Sequence, residues 1–250
     1  MTGVIAIIPA RAGSKSILDK NIASLSNHPL IAFSVAAAKL STEIDRVIVS
    51  TDSEQYAKLA IKYGAEVPFI RPREFATDSS TDRDFLLHAM EWFDEYELQT
   101  PEYWVHLRPT TPLRDPVLID KAIKTIQQEK GATSLRSGYK APESPFKWFR
   151  KDSSGFFRGL LAEDNNSEFY NLPKEAFKDV YIPDGYVDVV RRSHIMLNDT
   201  IHGERMIGFE SPVCTEVDSV EEFKYIQYQI SKKGSPLIKY LDDYLLSGAK

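Results

Sequence analysis

The sequence predicts an α/β domain built on a mainly parallel sheet, and three observations carry that prediction. Short, continuously apolar runs recur, as in Val4-Ile-Ala-Ile-Ile8; helix-length segments lie between them; and the first half lacks tight-hairpin signals. Alternation of strand and helix at this spacing implies βαβ units with right-handed crossovers. Ligands of such sheets gather at the carboxyl ends of the strands, here the loops after Ile8, Ser50 and Leu107.

The first strand, Val4 to Ile8, is β-branched, apolar on both faces and stopped by Pro9, which marks it as central. Pro29 to Leu40 carries Leu30, Phe33, Val35, Ala37 and Leu40 with small residues between them, the pattern of a packed helix. Arg46 to Ser50 is the second strand. A helix through Tyr63 follows, with Asp52 or Ser53 as N-cap and Gly64 closing it. A third short strand is expected at Val67 to Ile70, a helix over Asp82 to Tyr96, a strand at Tyr103 to Leu107 and a helix from Pro116 to Glu129. From about 139 to 198 the texture changes to prolines, aromatics and polar turns, including Lys151-Asp-Ser-Ser-Gly155 and Asp164-Asn-Asn-Ser167, and reads as an insertion. A strand near Met206 to Phe209 and a terminal helix over Ser219 to Lys232 complete the chain.

The 250 residues suffice for one substantial core, and 31 basic against 36 acidic residues argue against a general nucleic-acid binder. Cys214 is the only cysteine, which excludes an intrachain disulfide and a multi-cysteine metal site; it reads as a small buried hydrophobe. No uncharged stretch approaches the roughly 20 residues of a membrane span, and Val4 to Ile8 is too short for a signal segment. A soluble, cytoplasmic protein is expected.

Between the first strand and first helix lies Arg11-Ala-Gly-Ser-Lys-Ser-Ile-Leu-Asp-Lys-Asn21. A glycine in such a loop lets amide groups turn toward phosphate, while Arg11, Lys15 and Lys20 offset its charge. The spacing is neither that of a P-loop nor of a dinucleotide-binding turn, so ordinary P-loop ATPases and dehydrogenases are disfavoured.

Ile8-Pro-Ala-Arg-Ala-Gly-Ser-Lys15 with Lys20-Asn21 resembles the N-terminal signature of the acylneuraminate cytidylyltransferases. Ser50-Thr-Asp52, Arg71-Pro72 with Ala76-Thr-Asp78, Arg108-Pro-Thr-Thr-Pro-Leu-Arg114 and Glu216-Val-Asp-Ser-Val-Glu-Glu-Phe223 continue the resemblance in order along most of the chain. It implies a single three-layer α/β/α domain over 1–250 with a Rossmann-like nucleotidyltransferase sheet, and an acceptor-binding and dimerisation insertion at about 139–198. It also implies transfer of a nucleoside monophosphate from CTP to a sialic-like or legionaminic-like nonulosonic acid for surface glycans, with release of pyrophosphate.

By the same resemblance Arg11, Ser14, Lys15, Lys20 and Asn21 hold the triphosphate, with Lys20 at the reacting phosphate and Arg11 and Lys15 at the leaving groups. Arg71, Ser80 and Thr81 fall in the nucleobase segment. Glu216 and Asp218 stand where the family carries paired aspartates that hold Mg2+, and an extended segment would put both on one face. Arg108, Lys147, Asp184 and Asp188 fall in the acceptor region. Arg108 replaces a glutamine common in the family, and Ile182 stands near where the family has an arginine, so the acceptor contacts are rearranged. A homodimer is expected, with the partner subunit completing the acceptor pocket. Two alternatives stay open here: a guanylyl- or other nucleotidyltransferase acting on an amino-sugar 1-phosphate, and a non-catalytic nucleotide-binding homologue. His88, within a helix, and His106, within a strand, read as packed side chains rather than general bases.

Overall fold

The computed structural model describes residues 3–161 and 168–247; Asp164 to Ser167, expected as a polar turn, lies outside the described residues. Ten strands follow in chain order: β1 (Val4–Pro9), β2 (Ser24–Leu25), β3 (His28–Pro29), β4 (Arg46–Ser50), β5 (Tyr103–His106), β6 (Ser134–Lys140), β7 (Phe149–Lys151), β8 (Phe157–Gly159), β9 (Tyr181–Arg191) and β10 (Met206–Glu210). The helices are α1 (Leu30–Leu40), α2 (Glu54–Lys62), α3 (Asp82–Tyr96), α4 (Pro116–Gln128), α5 (Arg192–Leu197), α6 (Val220–Lys233) and α7 (Pro236–Leu246).

Six strands form one sheet in the order β10-β6-β9-β5-β1-β4. All neighbours run parallel except β9, which is antiparallel to both β5 and β6. Side chains alternate across β1 as the pleat requires: Val4, Ala6 and Ile8 face one core, Ile5 and Ile7 the other. The first core is closed by α1, α2, α4, α6 and α7, the second by α3 and α5. The result is the three-layer α/β/α arrangement expected. Burial on both faces explains why β1 needs an unbroken apolar run.

Helix boundaries follow local chemistry. The Ser53 hydroxyl accepts from the Tyr56 amide at the start of α2, and Gly64 leaves its end at φ +89°. The Asp115 carboxylate accepts from the Val117 amide ahead of α4, and Ser219 and Glu222 form a reciprocal cap on α6.

Three expectations are corrected. Val67 to Ile70 is not a strand: pairing is confined to Glu66, which exchanges bonds with Val47 and Val49. Pro68, which lacks an N–H, cannot extend that ladder. The segment 139–198 is not wholly an insertion, because its last third is β9 at the centre of the sheet, followed by α5. The chain also does not end with α6; α7 packs back on the first core through Leu237 and Leu241, and Asp242 meets the buried His28 imidazole at 2.9 Å. No helix among the described residues is long and apolar enough to cross a membrane.

Candidate active site

The loop after β1 is anchored from three directions. The Ala12 amide donates to the Asp52 carboxylate at 2.8 Å, the Asn21 side-chain amide donates to the Arg11 carbonyl at 2.9 Å, and the Tyr56 hydroxyl of α2 donates to Asp19 at 2.8 Å. Burial and then the Asp19 hydrogen bond push the Tyr56 hydroxyl well above its usual range, so it stays a donor. Gly13, at φ +74°, provides the turn between these anchors. Arg11, Ser14, Lys15, Lys20 and Asn21 line a cavity of about 400 Å³. Asn21 thus acts on the loop's own backbone, holding Arg11 in place.

The cations of this loop are paired with exposed carboxylates. Arg11 meets Asp78 at 2.8 Å, Lys15 meets the other oxygen of Asp78, and Lys20 meets Asp218 at 2.8 Å. Asp78 and Asp218 keep 52% and 67% of their side-chain exposure, whereas Lys20 keeps 13%. Hydrogen bonds from Lys15 and Arg11 hold the Asp78 carboxyl below its usual range. Pairs this exposed are weak and exchangeable, so phosphate oxygens can take the carboxylates' places.

A second cavity of about 180 Å³ adjoins the first through Arg11 and Asn21 and is lined further by Arg71, Phe75, Ser80, Thr81, Asp82 and Phe85. Arg71 is buried: its guanidinium donates to the Ser50 hydroxyl at 3.0 Å and to the Ser50 carbonyl, and lies 5.2 Å from the Phe85 ring centroid. Burial lowers it to about 10, so it remains charged at neutral pH. Arg71 therefore ties β4 to the pocket wall. The Ser80 hydroxyl bonds Thr77 and the Glu74 carbonyl, and Thr81 caps α3, its amide donating to Asp84 at 2.6 Å. These groups shape the walls of the pocket, in the segment that the resemblance assigns to the nucleobase.

Past β5 the chemistry changes. Arg108 donates to Asp188 at 2.9 Å and to Asp82 at 2.7 Å. Burial opposes its charge, but the two carboxylates outweigh that and hold the guanidinium above its usual value. Arg108 is thus already shared between two anions. Asp188 is 2% exposed and forms the pillar under Arg108, so it is not available as a freely accessible acceptor ligand. Arg114 is the organiser that the sequence did not single out: buried, it donates to the carbonyls of Arg108 (2.7 Å), Thr111, Gly185 (2.9 Å) and Tyr186 and to Ser34 (2.9 Å). Gly185 adopts φ +61°, and a side chain there would meet Arg108 at 3.2 Å and Thr111 and Glu216 at 3.4 Å. These three therefore converge on the bulge that Gly185 makes in β9.

Two expected acceptor residues are placed otherwise. Asp184 is buried and accepts from Ser137 at 2.7 Å, from the Tyr186 amide at 3.0 Å and from Ser211, so its oxygens are used in fastening β9 to β6. Lys147 lies 5.8 Å from the Phe177 ring centroid, in an aromatic group with Phe146 and Phe169. Among the described residues no contact joins it to Arg108 or Asp188.

Glu216 accepts from the Thr110 hydroxyl at 2.9 Å, and Asp218 faces Lys20. Between them Val217 is buried and donates its amide to the Thr110 carbonyl at 2.7 Å, so the two carboxylates flank a fixed point of the backbone, and Asp218 is the one that reaches a loop cation. His88 packs on Phe69 and Phe75, and His106 is buried against Phe85, where burial holds it well below the usual imidazole value. Burial likewise pushes the Cys214 thiol up to about 12, an inert side chain.

Comparison with known proteins gives a consistent picture. The cytidylyltransferase family profile matches residues 5–240. The chain is 31% identical over 219 residues to N-acylneuraminate cytidylyltransferase of Escherichia coli O18:K1:H7, covering 83% of this chain and 47% of that protein. It is 28% identical over 239 residues to post-translational flagellin modification protein B of Campylobacter coli, covering 93% and 97%. It is also 38% identical over 121 residues to CMP-N,N'-diacetyllegionaminic acid synthase of Legionella pneumophila, covering 48% and 52%. The chain thus spans about half the length of the first and third of these relatives. Among solved structures, CMP:2-keto-3-deoxy-manno-octonic acid synthetase complexed with CTP superposes with a TM-score of 0.68 at 15% identity, covering 92% of this chain and 99% of that one, a likeness of fold. The ordered loops around one cationic cavity and the match over nearly the whole chain have one explanation: the chain belongs to the cytidylyltransferase family, with acylneuraminate enzymes among its relatives.

Proposed function

We propose that the protein transfers CMP from CTP to a nonulosonic acid of the sialic or legionaminic type, releasing pyrophosphate. The carrying observation is the cavity lined by Arg11, Lys15 and Lys20, which continues through Arg11 and Asn21 into the smaller pocket beside Arg71. The first suits a triphosphate and the second a base. An acceptor hydroxyl attacks the α-phosphorus and gives its proton to solvent water, the bond to the bridging oxygen breaks, and the β and γ groups leave together as pyrophosphate. Lys20 neutralises charge at the reacting phosphorus; Arg11 and Lys15 neutralise the leaving pyrophosphate. Neither His88 nor His106 is placed to take the hydroxyl proton, since both rings are packed against aromatic side chains.

Mg2+ fits the residues present. No cluster of three or more metal-ligating side chains occurs among the described residues, but Asp218, paired with Lys20 of the triphosphate cavity, offers a hard oxygen there, and Glu216 stands two residues before it. Mg2+ commonly binds through one or two carboxylates together with substrate phosphates. When bound it would supply charge neutralisation at the phosphates. Lys20 occupies Asp218 meanwhile and keeps that carboxylate aimed at the site.

A sugar 1-phosphate acceptor held by Arg108 loses its support, because Asp82 and Asp188 already share that guanidinium. A homodimer is supported by the exposed aromatics Trp148, Phe149, Phe156 and Phe157, and a cytoplasmic setting by the need for CTP. Pyrophosphate release measured over a panel of nucleotides and sugar acids tests the reading. CTP-dependent turnover with a nine-carbon acid is expected; none with any such acid, or turnover only with GTP and a sugar 1-phosphate, refutes it.

A further inference from the structure

The loop after β1 is tied to the rest of the fold at its two ends, and both ties come from the start of α2. Asp52, just before the N-cap Ser53, accepts from the Ala12 amide at 2.8 Å. Tyr56, about one helical turn further on and 1% exposed, donates its hydroxyl to Asp19 at 2.8 Å. Between these ties Gly13, Lys15, Ser16 and Leu18 are exposed. One tie therefore holds the Arg11 end of the loop, and the other holds the Lys20 end.

Asp19 is where the backbone most needs holding. It adopts φ +50° and ψ +39°, the left-handed region, without being a glycine, and its side chain makes no capping bond to the Lys20–Ile22 turn that follows. An L residue persists in that region only when its surroundings fix it. What fixes Asp19 is the hydroxyl of a tyrosine whose ring belongs to the first core. A left-handed residue sets the direction in which the chain continues, and the next residue is Lys20. The turn that carries the lysine is closed by the Ile22 amide donating to the Asp19 carbonyl at 2.9 Å and the Ala23 amide donating to the Lys20 carbonyl at 3.1 Å.

This hold matters most once a nucleotide is bound. In the free protein the Lys20 side chain is tethered to Asp218, whose carboxylate keeps 67% of its exposure, and phosphate oxygens can take that carboxylate's place. The lysine then depends on its backbone. Asn21 bonds the Arg11 carbonyl, a contact within the loop that moves with it, whereas Tyr56 is rooted in α2.

Resting on the reading that Lys20 neutralises charge at the reacting phosphorus, we propose that Tyr56 is a positioning residue for Lys20. Through Asp19 it fixes the backbone from which the ammonium reaches the transition state, so it acts on turnover rather than on nucleotide affinity. Arg11, at the end of the loop held by Asp52, meets phosphate already in the bound state. CTP affinity follows that end instead.

The test measures pyrophosphate release with CTP, Mg2+ and the best nine-carbon sugar acid of the panel, and CTP binding by calorimetry without acceptor. Wild type, Tyr56→Phe, Asp19→Gly, Lys20→Ala and the Tyr56→Phe, Lys20→Ala double variant are compared. Tyr56→Phe keeps the ring in the core and deletes only the donor. Asp19→Gly deletes the acceptor from the loop side with a residue that accepts the left-handed backbone, so it repeats the test without touching the core. Each of these two is expected to lower kcat about tenfold, part of the cost of losing Lys20 itself, while the Kd for CTP changes less than about twofold. In the Lys20→Ala background Tyr56→Phe should lower kcat by less than about twofold more, because the group it positions is gone. A merely structural role predicts equal falls with and without Lys20. Unchanged kcat in either Tyr56→Phe or Asp19→Gly, or a fall of equal size in the two backgrounds, overturns the proposal and leaves the cytidylyl transfer standing; a wild type that turns over no nine-carbon acid overturns both.

Discussion

The two halves of the site handle charge in opposite ways. On the nucleotide side Arg11, Lys15 and Lys20 pair with carboxylates that remain more than half exposed. On the side proposed for the acceptor Arg108 pairs with Asp188 of β9, which is 2% exposed. Water competes with the first set, so those pairs form and break at little cost and the cations are transferable to a substrate. Asp188, at the centre of the second set, has no such competitor. Removing one partner leaves an uncompensated charge, so these residues fix the shape of the pocket before any ligand arrives.

The contrast is broken most directly at Asp188. Replacement by Ala should lower stability by about 3 kcal/mol, because Arg108 and Arg136 lose their shared buried counter-charge. Urea unfolding measures this, and a loss below about 1 kcal/mol would show that the acceptor-side pair is as exchangeable as the others. Lys20→Ala tests the opposite half. Turnover should fall about 100-fold, as when one preorganised transition-state donor is removed, with the melting temperature nearly retained. Unchanged pyrophosphate release would remove Lys20 from the catalytic role.

A smaller effect concerns pH. Burial depresses the imidazoles of His106 and His202 in the fold, so the unfolded chain binds protons that the folded chain refuses. Their contribution to stability is therefore complete above their unfolded value of roughly 6.5 and is lost as pH falls below it. The slope is up to about 1.4 kcal/mol per pH unit for each group. Melting curves between pH 7 and 5 should show the decline, and His106→Leu should flatten it; an unaltered slope would remove His106 as its source. Smallest is Asp78→Asn. Relieving the competition for Arg11 and Lys15 should tighten CTP binding about threefold with little change in stability, and weaker binding would mean that Asp78 orders the loop instead.

The nucleotide half was largely legible in the sequence because its groups are contiguous. Residues 11–21 form one loop whose glycine and cations declare an anion site. Asp78 closes that loop from 67 positions away, and Asp52 anchors it from 40 positions away; no local pattern assigns those roles, although both lie in motifs that the sequence displays. The strand expected at Val67 failed because local β-propensity was overridden by Pro68. The last helix was readable in hindsight from Ser235, Pro236 and the apolar spacing that follows.

The acceptor half was hidden for a different reason. Ser134-Leu-Arg-Ser-Gly-Tyr-Lys140 and Tyr181-Ile-Pro-Asp-Gly-Tyr-Val-Asp188 are too polar to look like interior strands. They are interior because Ser137 satisfies Asp184, and Arg108 satisfies one oxygen of Asp188. Gly185 gave only a turn signal, and Arg136 and His202 gave none. By itself the sequence determined the alternating α/β core, the helix caps and the cationic loop, since each depends on residues within a few positions of one another. Only the tertiary structure decided that β9 enters antiparallel between β5 and β6 and brings residues 106, 188 and 136 into one row. Register between strands distant in the chain is set by packing and turn geometry, and no spacing along a single strand encodes it.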